Sequence, residues 1–261
     1  MHDIQGYLEL AIEVAKEAGD YAQLVRWQDL VIETKSNAMD LVTQIDKRNE
    51  EEIRKRVTAR YPNHEFLGEE MGATSSSGGV RWIIDPIDGT INFAHGLPIW
   101  CVSIGVEVEG VMECGAIYQP NLNEMFSVHR GKGAFLNGSR IHVSSLDDPQ
   151  RSLFVTGFPY NVQENPGGVI QQFSHFLERG WLVRRLGSAA LDLAYVACGR
   201  FEGFWEAFLS PWDVSAGQLM VREAGGKVTH YNGDDYNIYK PSIIASNGLQ
   251  HSAIEEILRI K

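Results

Sequence analysis

The apolar positions of the first 26 residues recur at intervals of three and four along the chain. This spacing gathers them on one helical face and predicts an amphipathic helix packed against a core. The residues that carry it are Leu8, Ala11, Ala15 and Ala18. A second helix is predicted from about Thr43 to about Arg60, because the turn signal Tyr61-Pro62-Asn63 follows it.

Short segments rich in Val and Ile replace the helical spacing farther along the chain. Two of them, Trp100–Glu109 and Val111–Tyr118, are joined by the turn signal Glu109-Gly110. Asn137-Gly138 separates two more apolar segments, and this dipeptide favours a tight hairpin. The stretch is therefore predicted to form a largely antiparallel sheet.

From Arg151 onward, strand-like and helix-like segments alternate. Strands are predicted at 153–156, 182–183, 201–208 and 242–245, and helices at 169–178, 189–198, 214–224 and 249–260. This alternation predicts α/β layers. We expect an N-terminal α+β half, residues 1–150, and a C-terminal α/β half, residues 151–261, that pack as one body.

Composition and charge narrow the function classes. No apolar run reaches the roughly 20 residues that span a bilayer, and the N-terminus lacks the pattern of a signal peptide. We therefore expect a cytoplasmic protein without membrane contact. The net charge of −11 disfavours direct nucleic-acid binding. It suits a metal-binding cleft of carboxylates, but equally an acidic solvated surface. Cys101, Cys114 and Cys198 are spaced as buried free thiols rather than zinc ligands.

The most informative segment is Trp82–Thr90, in which an apolar strand leads to two carboxylates three residues apart, Asp85 and Asp88. Pro86 stiffens the turn between them, and Gly89 allows the backbone to approach a ligand closely. Thr90 is predicted to open a helix, whose first amides would point at the turn. Asp-Pro and Asp-Gly are also common turn formers, so a purely structural turn is the alternative.

Three other acidic positions are ambiguous when each is taken alone. Glu69 lies in Gly68-Glu69-Glu70, which reads equally as a solvated loop. Asp213 precedes an apolar helix and can serve as its N-cap. Asp46 follows Asp40 in a helix start and can face either a cleft or solvent. Together with Asp85 and Asp88 they form a set of hard oxygen ligands without Cys or His, which suits magnesium.

Several of these segments, taken in order, resemble the signatures of the inositol monophosphatase family, and especially its bacterial branch. The resemblance spans nearly the whole chain and is carried by Lys35-Ser36, Asp40–Thr43, Gly68–Glu70, Trp82–Thr90 with Asn92-Phe93, Gly131–Phe135, Arg184–Arg200, Trp212-Asp213 and Glu223–Gly226. It implies a layered α/β/α/β/α sandwich, a homodimer, about two to three magnesium ions per site and sensitivity to lithium. It also implies that most metal ligands lie in the first half and most substrate contacts in the second.

The resemblance assigns roles to individual residues. The metal ligands would be Glu69, Asp85, the Ile87 carbonyl, Asp88 and Asp213. Thr90 and Asp46 would orient the attacking water, and Glu69 would be a third catalytic residue. The phosphate and hydroxyl contacts would be Asp88, Gly89, Thr90, Gly187, Ser188, Ala189 and Glu206. The sequence departs from many relatives at Ile91, where a second Thr is common, and the loop Gly72–Gly79 is shorter than in animal members.

These features predict a phosphoric monoester hydrolase that acts on a small polyol or sugar phosphate, first of all inositol monophosphate. Because the chain has neither a P-loop string nor a Cys placed as a nucleophile, we expect in-line attack by a metal-activated water without a phosphoenzyme. The alternative substrates are fructose 1,6-bisphosphate, 3′-phosphoadenosine 5′-phosphate and histidinol phosphate. Arg184 and Arg185 are candidate second-phosphate contacts, whereas Glu206 favours hydroxyl groups. A different reading is a binding protein in an RNA polymerase-associated complex.

Overall fold

The computed structural model describes residues 2–26, 32–34, 41–75 and 79–259. Across these ranges seven α-helices are formed: α1 Ile4–Val25, α2 Gln44–Arg60, α3 Thr90–Ala94, α4 Val169–Glu178, α5 Ala189–Ala197, α6 Pro211–Glu223 and α7 His251–Leu258. None of the helices in the described ranges is long and apolar enough to cross a membrane.

The strands form a two-stranded pair, a sheet of eight strands and a sheet of five. The pair is β1 Ile32–Thr34 and β2 Leu41–Thr43. The larger sheet contains β3 Glu65–Gly68, β4 Gly72–Ala73, β5 Val80–Asp88, β6 Cys101–Val108, β7 Val111–Gln119, β8 Glu124–His129, β9 Gly133–Leu136 and β10 Ser139–Arg140. The smaller contains β11 Leu153–Thr156, β12 Leu182–Arg184, β13 Gly203–Ala207, β14 Lys227–Thr229 and β15 Ser242–Ser246.

The larger sheet has the order β10-β9-β8-β7-β6-β5-β3-β4 and is antiparallel except at the pairing of β3 with β5. The smaller has the order β12-β11-β13-β15-β14 and is mixed, because β11 pairs in parallel with both β12 and β13. The antiparallel sheet expected from the Val- and Ile-rich segments is thus confirmed.

Helices and sheets alternate as five layers. Helices α1 and α2 pack on one face of the larger sheet, α5 and α6 lie between the two sheets, and α7 with α4 covers the smaller sheet. Each interface has its own apolar core, centred on Trp82 beneath α1, on Leu193 and Leu219 between the sheets, and on Trp205 beneath α4 and α7. The layered α/β/α/β/α fold is confirmed.

Some boundaries differ from those expected. Helix α6 begins at Pro211, one turn earlier than predicted, because Ser210 caps it and Pro suits its first turn. Strand β14 was not predicted, and α7 is shorter than the expected helix. In the Gly72–Gly79 loop, Gly72–Ala73 form β4, whereas 76–78 lie outside the described residues, as do Lys35-Ser36 and Asp40.

Candidate active site

The turn at the end of β5 brings two buried carboxylates to the gap between the sheets. The strand contains both Asp85 and Asp88, and its pairing with β6 shifts register between these two residues. Within the turn, Asp85 Oδ1 accepts a hydrogen bond from the Ile87 amide at 3.0 Å. This contact uses one carboxylate oxygen, so the second can accept from a ligand.

Gly89 allows the chain to turn sharply from β5 into α3. Its φ is 95°, in the left-handed region that favours glycine. A Cβ at this position would lie 2.9 Å from the Ile99 carbonyl oxygen, and 3.1 Å from that of Gly187. The turn therefore packs directly against the loop before α5, which was also predicted to bind substrate.

Thr90 begins α3 and connects it to α2. Its Oγ1 lies 2.9 Å from the Ile87 carbonyl oxygen and 3.3 Å from Asp46 Oδ1. Asp46 is completely buried, so the solvent-facing alternative for this residue is wrong. The pairing is long-range and brings together two side chains that the sequence separates by 44 positions.

Asp88 is fixed by the start of α5. Its Oδ2 accepts hydrogen bonds from the Ser188 hydroxyl at 2.7 Å and the Ala190 amide at 2.6 Å. The thiol of Cys101 lies 3.8 Å from the same oxygen. Asp88 thus joins the end of β5 to α5 across the gap between the two sheets.

Asp213 reaches the same region from the first turn of α6. It is the third residue of the helix, and the N-cap is Ser210, so the N-cap role considered for Asp213 is wrong. Its Oδ2 accepts from the Ser210 amide at 2.7 Å, as one half of a reciprocal capping box. The box fixes the direction in which this carboxylate points.

A cavity of about 610 Å³ brings the predicted residues together. It is lined by Glu69, Asp85, Ile87, Asp88, Gly89, Thr90, Gly187, Ser188, Ala189, Glu206 and Asp213. Asp46 does not line it but contacts Thr90, which does. A smaller cavity of about 250 Å³, beside Arg222 at the other end of α6, contains none of these residues.

Burial and neighbouring negative charges raise the pKa values of three carboxyl groups in the cavity, those of Asp85, Asp88 and Asp213. Burial, followed by the charges of Glu69, Asp88 and Asp213, raises the pKa of Asp85 well above its ordinary value. Burial also raises the pKa of Asp88 to about 6, although hydrogen bonds from Ser188 and Ala190 oppose the shift. The pKa of Asp213 is raised well above its ordinary value by burial and then by Asp88 and Glu69. A bound cation would relieve this concentration of negative charge.

The donor set fits magnesium by its chemistry. All the grouped side-chain donors are carboxylate oxygens, the type that Mg²⁺ prefers. In the described part of the chain, no group of three or more His, Cys, Asp or Glu side chains is arranged to hold a metal ion by itself. Mg²⁺ usually takes one or two protein carboxylates and completes its shell with water and substrate phosphate, so the fit rests on the chemistry of the donors and not on a closed set of ligands.

Titratable groups also line the cavity on the side of the smaller sheet. Burial, opposed by Arg185 and aided by Asp88, raises the pKa of Glu206 to about 8. Asp192, in the middle of α5, has a pKa raised well above its ordinary value, first by burial and then by Glu206. Asp192 Oδ1 has no hydrogen-bond partner among the described residues. Arg185 lines the cavity, whereas Arg184 is exposed and donates to the Val183 carbonyl.

Sequence reasoning missed Asp192 and a second buried acid, Glu50, which contacts the backbone of the Glu69 turn. Asp192 had a signal, because it is a single charge in the otherwise apolar segment Ala189–Ala197. Glu50 had a weaker one, its spacing of four from Arg54 on α2, which is also common on solvated helix faces.

The cavity at the end of β5 and the starts of α5 and α6 is a carboxylate-lined site between the two sheets of a layered α/β protein. The inositol monophosphatase family model matches residues 3–260, so the chain belongs to this family of phosphatases.

Similar proteins cover nearly the whole chain. One is the "Nus factor SuhB" of Pseudomonas aeruginosa, 38% identical over 94% of this chain and 92% of the relative. The "Inositol-1-monophosphatase" of a Synechocystis species is 38% identical over 98% of this chain and 90% of the relative. The crystal structure of the extragenic suppressor protein suhB from Bartonella henselae superposes with a TM-score of 0.92 at 36% identity, covering 97% of this chain and 98% of that one.

Proposed function

We propose that the protein is a magnesium-dependent phosphomonoesterase of the cytoplasm that hydrolyses a small polyol or sugar phosphate, with inositol monophosphate as the first candidate. The observation that carries the proposal is the β5 turn, which aims Asp85, Asp88 and Thr90 into one cavity with Glu69 and Asp213. The relative from Synechocystis bears the name of this activity.

The metal ligands follow from the resemblance to the family. Glu69, Asp85 and the Ile87 carbonyl would hold one ion, Asp85, Asp88 and Asp213 would hold a second, and Glu69 with water would contribute to a weaker third. When bound, the ions supply positive charge to the phosphoryl and leaving-group oxygens and lower the pKa of water. The raised pKa values of Asp85 and Asp213 support a cation beside these two carboxylates.

The protein's own groups orient the reactants. When Thr90 donates its hydroxyl proton to Asp46, its lone pairs accept a hydrogen bond from the attacking water. Buried Asp46 keeps the hydroxyl in that direction. The amides of Gly89 and Thr90 hold the phosphate, so the water and the phosphorus are positioned by one short turn.

The substrate's carbon skeleton lies toward β13. Glu206, Asp88 and the segment Gly187–Ala189 accept and donate hydrogen bonds to its hydroxyl groups. Glu206 and Asp192 can exchange hydrogen bonds with hydroxyl groups at this end, whereas Arg185 is the basic side chain among the described lining residues and would favour a second phosphate. This balance supports a hydroxyl-rich monophosphate over a bisphosphate.

Phosphate release from a panel tests the proposal. The panel is myo-inositol 1-phosphate, fructose 1,6-bisphosphate, 3′-phosphoadenosine 5′-phosphate and histidinol phosphate, each with and without Mg²⁺. We expect Mg²⁺-dependent turnover, fastest with inositol phosphate and inhibited by Li⁺. Faster turnover of a bisphosphate would reassign the substrate, and no turnover by folded, Mg²⁺-loaded protein would refute the activity.

The relatives named Nus factor SuhB favour a second candidate role in a transcription complex. Such a role would use a protein surface rather than the cavity. Co-purification of RNA polymerase subunits with the tagged protein tests the transcription role. We also expect a homodimer, which sedimentation analysis tests. Absence of polymerase from the purified material would argue against the transcription role.

A further inference from the structure

The turn that carries Glu69 is held from two sides. The Glu69 amide donates to the Ile84 carbonyl at 3.2 Å, which ties the turn to β5 one residue before Asp85. From the other side, Glu50 of α2 accepts a hydrogen bond from the Glu70 amide at 2.8 Å and one from the Met71 amide at 3.3 Å. The position of Glu69 therefore depends on both β5 and α2.

Glu50 is fully buried and forms an ion pair with Arg54 on the next turn of α2, at 2.6 Å. Arg54 also donates to the Gly72 carbonyl at 2.5 Å. The Glu50–Arg54 pair thus contacts the amides of Glu70 and Met71 and the carbonyl of Gly72. The Glu50 carboxylate faces the backbone of this turn and does not line the cavity.

The stability of the fold does not by itself explain a buried ion pair, since the desolvation cost of such a pair often equals its electrostatic gain. The glycine at position 68 leaves space for the Glu50 carboxylate. A Cβ on Gly68 would lie 2.0 Å from Glu50 Oε1, so glycine allows the carboxylate to lie against the turn. One helical turn before Glu50, the same helix carries Asp46, which contacts Thr90. Helix α2 therefore reaches both the water-orienting pair and the Glu69 turn.

We propose that Glu50, with Arg54, is a positioning residue that holds the Glu69 turn at the spacing from Asp85 needed for metal binding. The proposal rests on the proposed function in one respect, the assignment of Glu69 as a metal ligand. Glu50 acts through the backbone of residues 70 and 71 and touches neither metal nor substrate. Groups that orient metal ligands commonly change metal affinity by about 10- to 100-fold when they are replaced.

Titration calorimetry of the full-length protein with Mg²⁺ alone tests this role without relying on turnover. In Glu50→Gln, we expect the dissociation constant for Mg²⁺ to rise about tenfold. The matched control is Glu52→Gln, because Glu52 lies on the same helix and pairs with Lys55 at an exposed position. That variant should bind Mg²⁺ as the wild type does. Unchanged Mg²⁺ affinity in a Glu50→Gln protein that has only lost thermal stability would overturn the proposal.

Gly68→Ala supplies an independent test that keeps both charges in the sequence. The added Cβ should displace the Glu50 carboxylate and weaken Mg²⁺ binding, even if Glu50→Gln fails to fold. In a Glu50→Ala background the added methyl group has room, so Gly68→Ala should then cost little further affinity. This non-additivity is the signature of direct contact. An equal loss of affinity in both backgrounds would contradict the proposed contact.

The binding constants also separate this inference from the proposed activity. A wild-type protein that binds Mg²⁺ but releases no phosphate from the panel would refute the activity, while the Glu50 comparison would still decide the positioning role. Conversely, Mg²⁺-dependent turnover with identical Mg²⁺ affinity in wild type and Glu50→Gln would refute the positioning role alone.

Discussion

The cavity has two walls that are built in different ways. The β5 wall, residues Asp85–Thr90, has its polar side chains held by nearby backbone atoms, as with Asp85 on the Ile87 amide and Asp88 on the Ala190 amide. The β13 wall, residues Glu206–Phe208, combines a carboxyl group whose pKa is raised to about 8 with a half-exposed Phe208 at φ 68°. Both walls contain buried acids with raised pKa values. The first wall holds its carboxylates with hydrogen bonds from backbone amides, whereas the second adds a strained backbone at Phe208.

This difference implies different consequences of substitution. Changes in the β5 wall should reduce the rate of the chemical step and leave stability nearly intact, because they remove groups aimed at the reactants. Changes in the β13 wall should alter stability, because they relieve the cost of groups held against their preferences. Substitutions in each wall test this contrast.

Replacement of Asp85 should cause the largest loss. Asp85→Asn should lower kcat by at least about 1000-fold, since two assigned metal positions share this carboxylate and the metal supplies most of the charge stabilisation. Its melting temperature without metal should not fall, because the change removes one of several buried like charges. Phosphate release at saturating Mg²⁺ and thermal unfolding are the measurements.

The matched control for that variant is Asp147→Asn, an exposed residue outside the cavity. It should leave both activity and melting temperature unchanged. Turnover of Asp85→Asn close to wild type at saturating Mg²⁺ would show that the β5 wall is not the metal site.

Loss of the Thr90 hydroxyl should have the next largest effect. Thr90→Val keeps the shape of the side chain but cannot orient a water, so kcat should fall about 100-fold with little change in Mg²⁺ affinity. Thr90→Ser, which keeps the hydroxyl, should recover much of the rate. Equal losses in both variants would point to packing of α3 rather than to the hydroxyl.

The parts of this site that could be predicted from sequence are the local ones. The Trp82–Thr90 turn joins a strand, two acids, a glycine and a helix start within nine residues, so their proximity is set by the chain itself. The Ser210 cap of α6 was also readable, because Ser210, Pro211 and Asp213 have the spacing of a capping box. The predicted helix began at Val214, the first apolar residue of its helical pattern, so this capping signal was overlooked.

The long-range parts could not be predicted from sequence. The burial of Asp46 depends on how α2 packs against α3, which no local pattern specifies, and the same holds for the contact of Glu50 with the Glu69 turn. The placement of Asp192 beside Glu206 requires the pairing of α5 with the smaller sheet. The sequence pattern shows that Asp192 is a charged residue in an otherwise apolar helix, but it does not show which cavity Asp192 lines.

The pH dependence of stability should report on Glu206. Its pKa is raised from 4.5 to about 8 in the folded protein, so the unfolded state loses this proton at lower pH than the folded state. The stability contributed by protonated Glu206 is therefore fully present below pH 4.5 and is lost as the pH rises toward 8, by about 1.4 kcal/mol per pH unit.

Glu206→Gln, which cannot ionise, should remove this part of the slope in metal-free protein. Chemical denaturation at pH 5, 6, 7 and 8 is the measurement, and Glu255→Gln on α7 is a control outside the cavity that should keep the wild-type slope. An unchanged slope in Glu206→Gln would mean that Glu206 is already ionised at neutral pH.

Substitutions of Phe208 should give the smallest effect. They separate the contribution of the backbone conformation to the unfolding free energy from that of the side chain. A bulky residue at φ 68° is strained, and burial of the ring does not offset the strain, because the side chain is half exposed. Phe208→Gly should therefore be more stable than Phe208→Ala by about 1 kcal/mol, since both lack the ring and only alanine keeps the left-handed cost. Equal unfolding free energies for the two variants would show that the β13 wall is not strained at this position. A higher stability of the glycine variant, with kcat unchanged, would confirm that this wall, unlike the β5 wall, affects stability without taking part in the chemical step.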